Sequence, residues 1–272
     1  MPRVEKKLKL SDEKFKRRIG TTKPVFLTML AILQTARAEL HASGGKPNGL
    51  SVGDKLLITL KYYREYITME SIADDYDCSK SCVCRSIHWV EDVLSADGRF
   101  QLPGKNALQE EEPKTVAVGV MEHSIERPQK SRKTGIRAKK SGIRSNRRLL
   151  RTLRLIDDVE EAPGSVHDFK LCKETLLRVL MLTVMILADS GYQGIQDYHE
   201  WSLIPIKKSK SRPLSESERA YNTELSRRRI VIENINAQIK VFKIMSYPYR
   251  NRRRRHLLKT KLVCAILNAE KA

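Results

Sequence analysis

The segment Val184-Met185-Ile186-Leu187-Ala188-Asp189-Ser190-Gly191-Tyr192-Gln193-Gly194-Ile195 constrains the fold more than any other stretch of this chain. A short apolar run of this kind reads as a buried strand. It stops at a carboxylate, Asp189, and Gly191 and Gly194 then permit a turn too tight for larger residues. An acid at the end of a buried strand is where sites for hard divalent cations keep ligands. Mg²⁺ takes oxygen donors, from one or two carboxylates and from substrate phosphate. The simpler alternative, from this stretch alone, is a solvated turn-forming Asp.

Downstream, Ser215 to Val241 reads as one long helix, opened by the capping box Ser215-x-x-Glu218. Ile232, Ile235, Ile239 and Phe242 recur at helical spacing as a core stripe. Arg229, Glu233, Asn236 and Lys240 form a separate polar stripe, so Glu233 can point into a site while the helix packs behind it. By spacing alone, an Arg229–Glu233 surface pair is the competing reading.

Composition narrows the partner. The net charge is +20 over 272 residues, with basic runs at Lys6-Lys7, Arg17-Arg18, Lys139-Lys140, Arg227-Arg228-Arg229 and Arg252-Arg253-Arg254-Arg255. Such a distribution calls for a polyanion, with nucleic acid first. The chain is long enough for one medium domain and a small one. The apolar run from Leu176 to Ala188 is too short to span a membrane and is broken by Arg178. The first residues lack the apolar region of a signal peptide, so a cytoplasmic protein is expected. Five cysteines, an odd number, do not suggest a disulfide framework. Cys78, Cys82 and Cys84 lack a second ligand pair at finger-like spacing and read as packing residues rather than zinc ligands.

In the first hundred residues, Ser11 to Leu40 and Ser51 to Tyr66 read as helical, separated by the turn-rich Ser43 to Gly49. Thr68 to Tyr76 reads as a capped short helix, Asp77-Cys78-Ser79 as a turn, and Lys80 to Leu94 as a second helix. Ile72, Ala73, Val83, Ile87 and Val90 supply a seam between them. The pattern is a helix-turn-helix within residues 51–96, whose second helix enters a major groove. Ser79, Lys80, Ser81 and Arg85 then face DNA; a plain helical hairpin is the alternative.

Several words match together and in order. They are Ala188-Asp189-Ser190-Gly191-Tyr192-Gln193-Gly194-Ile195, Pro205-x-Lys207-Lys208, Arg229-x-x-x-Glu233, Phe242-Lys243-Ile244 and Tyr249-Arg250-Asn251-Arg252. With Leu56-Leu57-x-x-Leu60, Ile72-Ala73 and Ser79-Lys80-Ser81, they resemble a bacterial insertion-sequence DDE transposase. The resemblance implies an α+β chain: an all-α helix-turn-helix region at 1–100, then an RNase H-like mixed-sheet core at 113–269. It implies an Asp, Asp, Glu triad holding two Mg²⁺ or Mn²⁺ ions. These ions activate water and then a DNA 3′-hydroxyl for in-line attack on phosphodiesters. Carried over by position, Asp189 is the second Asp and Glu233 the Glu, both metal ligands. Arg229, Lys240, Arg250 and Arg252 are then expected on the DNA backbone. The implied partner is double-stranded DNA, at element ends and target. The implied location is cytoplasmic, with the nucleoid when DNA is bound, and a homodimer is compatible with it.

Two departures qualify this. Thr115 to Val120 reads as a strand, and the family's first Asp belongs three residues before Glu122; Gly119 stands there. Losing one of three carboxylates weakens or abolishes binding of at least one ion. Glu122 and Asp168 are the nearest substitutes, but strand alternation turns Glu122 to the opposite face. Asp168 reads first as a helix cap and His167 as structural, with both facing the site as the alternative; His199 reads as structural or DNA-facing.

The second departure is at Gly135-Ile136-Arg137-Ala138-Lys139-Lys140-Ser141-Gly142-Ile143-Arg144. One codon set for these residues is GGT ATT CGG GCA AAA AAA AGC GGC ATA CGC. Read from its third base it gives Tyr-Ser-Gly-Lys-Lys-Lys-Arg-His-Thr, which is the family's stretch at that point. Residues from about 130 to 152 are therefore expected to be out of frame, and the fold to be disturbed there. The reading is a transposase whose copy here is catalytically impaired. The alternatives are a non-catalytic DNA-binding remnant or repressor, and a basic scaffold protein of the same fold.

Overall fold

The computed structural model describes residues 3–44, 49–104, 115–126, 142–150, 155–162, 166, 168–175, 177, 184–209, 212–251 and 254–271, with only the backbone of 142–150 and of Asp168 and Thr175. Two compact units divide the chain: 1–101 with 238–247 and 258–272, and 102–237 with 248–257.

The first unit is helical. Its elements are α1 (Arg3–Leu8), α2 (Asp12–Ile19), α3 (Lys23–Ala42), α4 (Val52–Glu65), α5 (Met69–Asp75) and α6 (Lys80–Ala96). The stretch expected to be helical, residues 11–40, holds two helices. Gly20, at φ 94°, ends α2 in the left-handed conformation that glycine adopts without strain, and Pro24 then opens α3. Thr68 and Ser79 cap α5 and α6 by accepting from the Ser71 and Cys82 amides. Ile72, Ala73, Val83, Ile87 and Val90 are buried, as the helix-turn-helix seam requires.

The second unit holds a five-stranded mixed sheet in the order β3-β2-β1-β4-β5. The strands are β1 (Thr115–Ser124), β2 (Gly142–Leu150), β3 (Ile156–Glu161), β4 (Met185–Leu187) and β5 (Ser202–Leu203). β2 is antiparallel to β1 and β3, whereas β1, β4 and β5 run parallel. This is the α+β, mixed-sheet arrangement expected. One face of β1, through Val116 and Val118, packs with Cys172 of α7 (Asp168–Thr175) and with Val184, Ile186, Ala188 and Tyr192. Helix α8 (Glu216–Lys240) carries the reciprocal capping box: Glu218 N–H donates to Ser215 Oγ, and Ser215 N–H to Glu218 Oε2. A last helix, α9 (His256–Ala269), closes the chain.

Within the stretch expected to be disturbed, residues 142–150 form β2, paired on both sides. A ladder is made by backbone N–H and C=O groups, so it does not need the side-chain alternation that this arginine-rich run lacks. Residues 130–141, 151 and 152 lie outside the described residues.

Candidate active site

The first two positions belong to neighbouring strands: Gly119 lies in β1, and Asp189 follows β4. Ala117 of β1 pairs with Leu187 of β4 in the parallel ladder. The ladder ends at this pair, with Gly119 two residues further along β1 and Asp189 two residues beyond β4. Asp189 caps a 3-10 turn, Ser190–Tyr192, by accepting from Gly191 N–H at 2.7 Å. A Cβ at position 191 would lie 2.9 Å from Asp189 Oδ1, so this turn closes only on glycine.

Helix α8 supplies the third position. A Cβ built on Gly119 meets Ile232 Cγ2 at 2.4 Å, so the helix lies directly against the glycine. Arg229, one turn earlier, reaches Asp189: its Nη2 is 3.8 Å from Asp189 Oδ2, with the side chains 19% and 40% exposed. The Arg229 Nε is buried without a hydrogen-bond partner among the described residues. Glu233 follows Ile232 directly and is exposed. The surface pair that spacing suggested is not made, because Arg229 turns to Asp189 instead of Glu233.

Two carboxylates, Asp189 and Glu233, stand at the expected positions, not three. Asp189 faces the Arg229 guanidinium, and Ile232 lies against Gly119 where the first acid was expected. Among the described residues, no group of three or more His, Cys, Asp or Glu converges as metal ligands do. This donor set does not fit a site for two hard divalent ions, which bind through carboxylate oxygens.

The profile of the DDE superfamily endonuclease matches residues 121–268, and that of the helix-turn-helix of DDE superfamily endonuclease matches residues 48–100. The chain is 35% identical, over 275 residues and 99% of both chains, to a protein of Microchaete diplosiphon described as "Probable transposase for insertion sequence element IS702". This chain belongs to the insertion-sequence DDE transposases. No solved structure matches it.

Within this DDE transposase, the expected substitutes for the missing acid fare as follows. Glu122 is exposed, and a bulge between Val120 and Glu122 interrupts the alternation used to place it. Asp168 is the first residue of α7; its side chain and His167 lie outside the described residues. His199 is buried, with Nδ1 3.2 Å from Ser202 Oγ, in a structural position.

The expected DNA contacts are scattered. Ser79 caps α6, Lys80 pairs with Glu70 on the surface, and Ser81 and Arg85 are exposed on the same helix. Lys240 is exposed and Arg250 half-buried, while Arg252 lies outside the described residues. Among the described residues no helix is long and apolar enough to cross a membrane. Among the described residues no disulfide joins the cysteines: Cys172 and Cys264 are buried, and Cys78, Cys82 and Cys84 half-buried. Sequence reasoning missed the Arg229–Asp189 contact and the seating of Ile232 on Gly119. Helical spacing reports neighbours on one helix and carries no signal for contacts with a strand.

Proposed function

We propose that this chain is an insertion-element transposase that has lost metal-dependent strand cleavage and keeps the capacity to bind duplex DNA through its helix-turn-helix. One observation supports the reading: position 119 has no side chain, and Ile232 Cγ2 stands 2.4 Å from where its Cβ would be, in space a carboxylate there would need. The remaining acids, Asp189 and Glu233, are the expected ligands for Mg²⁺ or Mn²⁺ in an active relative. A chain that binds element ends without cutting them would act as a competitor of intact transposase, a repressor. The division into a DNA-binding region at 1–100 and a transposase domain at 113–269 belongs to the same reading, as does residence with the nucleoid. A homodimer is compatible with the same reading, and sedimentation tests it.

The test is cleavage of DNA carrying the element ends, in Mg²⁺ or Mn²⁺. It compares the chain as it stands, Gly119→Asp, Gly119→Asp with Ile232→Ala, and that pair with residues 130–152 returned to the family frame. No cleavage by the first two, and cleavage only after acid, space and frame are all supplied, is the expected result. Cleavage by the unaltered chain would mean another group replaces the lost carboxylate, and the impairment reading fails. Sequencing the gene checks the frame directly: codons other than the set given above would remove it.

A further inference from the structure

A cationic cleft opens in the first unit between α3, α4 and α6, lined by Arg37, Lys55, Cys82, Arg85, Ser86 and Trp89. Its space of about 210 Å³ is several times the ~30 Å³ that one water takes in the liquid. Lys55 sits on the face of α4 that also buries Leu56, Ile58 and Thr59, and is only 5% exposed. Its ammonium lies 4.9 Å from the centre of the Trp89 ring. Among the described residues that ammonium has no ion pair or hydrogen bond, and neither has the Arg85 guanidinium. Burial, and then the Arg37 charge, push the Lys55 pKa down, with Cys82 opposing.

A desolvated cation beside other cations is costly unless an anion meets it. The same unit shows what a satisfied buried lysine looks like: Lys259, equally buried, is paired with Glu91. Lys55 has everything except the anion. Arg85, in turn, lies one helical turn beyond Ser81 and is exposed, so the cleft is continuous with the outer face of α6.

We propose that this cleft is a phosphate-binding site that takes a backbone phosphate of duplex DNA, with Lys55, Arg37 and Arg85 as its cationic donors. A phosphate held there would fix the register of α6 in the groove without reading a base. The choice of DNA as the source rests on the DNA-binding reading of the helix-turn-helix; the anion site itself rests on the cleft.

The experiment uses the full chain with Trp201→Phe, which leaves Trp89 as the one tryptophan of the two. Binding of a labelled element-end duplex and of an unrelated duplex is measured against KCl concentration, for this chain and for Lys55→Met in it. One lost phosphate contact should flatten the slope of log K on log salt by about 0.9, which is about eightfold weaker binding at 0.1 M salt. Both duplexes should weaken equally, the duplexes should perturb Trp89 emission, and Lys55→Met should unfold no more easily than its parent. A lysine that serves only packing would lower stability and leave the salt slope alone.

An unchanged slope in Lys55→Met overturns the proposal. So does a response of Trp89 to inorganic phosphate with DNA binding indifferent to Lys55, which would assign the cleft to a free anion. If the parent binds no duplex at all, the helix-turn-helix reading fails, and the DNA source with it; that outcome differs from binding that ignores Lys55. If Lys55→Met does not fold, Arg37→Gln decides by the same slope, since Arg37 lies outside the helix-turn-helix pair.

Discussion

Gly119 and Ile232 set the terms on which the site could be repaired. The Cβ of any residue but glycine at 119 would stand 2.4 Å from Ile232 Cγ2, closer than side chains approach. Gly119→Ala should therefore destabilise by about 1–3 kcal/mol through overpacking. In an Ile232→Ala background the same change should cost less, with a coupling of more than about 0.5 kcal/mol in a urea-denaturation cycle. Equal costs in both backgrounds would show that the helix yields freely. Asp189 and its turn were legible in the sequence, because an apolar run, an acid and two glycines are all local signals. The contact between Gly119 and Ile232 was not, because it joins a strand to a helix more than a hundred residues away.

Lys55 yields a pH prediction. Its pKa is depressed by burial, then by Arg37 of α3, while Cys82 of α6 opposes and Arg85 of α6 also lines the cleft. Between the lowered folded value and the ordinary unfolded one, the unfolded chain binds more protons, so stability rises with pH. The penalty is present below the folded pKa and is relieved as pH climbs towards the ordinary lysine value. The stability difference between the chain and Lys55→Met should shift in the parent's favour across that alkaline window. A difference that stays constant in urea midpoints would place the Lys55 pKa at its usual value.

Helix ends were the most legible elements. The Ser215–Glu218 box is made in both directions, and its Ser215 amide is the main cause that lowers the Glu218 pKa. Ser79, expected on the DNA-facing side, also holds a helix end. Its hydroxyl accepts from the Cys82 amide at 3.2 Å, which is capping work. Ser79→Ala should cost about 1 kcal/mol of stability, while Ser79→Asn, a comparable cap, should restore it. If DNA affinity follows the cap, both quantities recover together in the Asn variant; affinity that stays low would mark the hydroxyl as a direct DNA contact. Element interiors were harder. The break at Gly20 lies inside a stretch whose apolar positions continue past it, and β2 falls in an arginine-rich stretch without strand alternation.

At the scale of the molecule, the first unit is not continuous in sequence: residues 258–272 belong with residues 1–101. A buried polar junction joins the two stretches. Glu91 of α6 accepts from the Tyr63 hydroxyl of α4 at 2.8 Å and pairs with the ammonium of Lys259 on α9. The Lys259 ammonium also lies 5.9 Å from the Tyr63 ring centre. Glu270 of the same terminal segment accepts from the Thr22 amide at 3.1 Å and from Lys16 at 2.8 Å. No periodicity announces that a lysine near the end of the chain will neutralise a glutamate on the recognition helix. Breaking a buried pair leaves one charge desolvated, so Lys259→Met should destabilise the first unit by about 3–5 kcal/mol. Adding Glu91→Gln removes that charge and keeps an acceptor for Tyr63, so most of the loss should return. The same pair of variants separates support from contact. DNA affinity should fall in Lys259→Met near its unfolding temperature and recover in the double variant, although neither residue is exposed to touch DNA. Should Lys259→Met keep the urea midpoint of the parent, the junction would carry no net stability, and the terminal helix would hold the recognition helix by its apolar face alone.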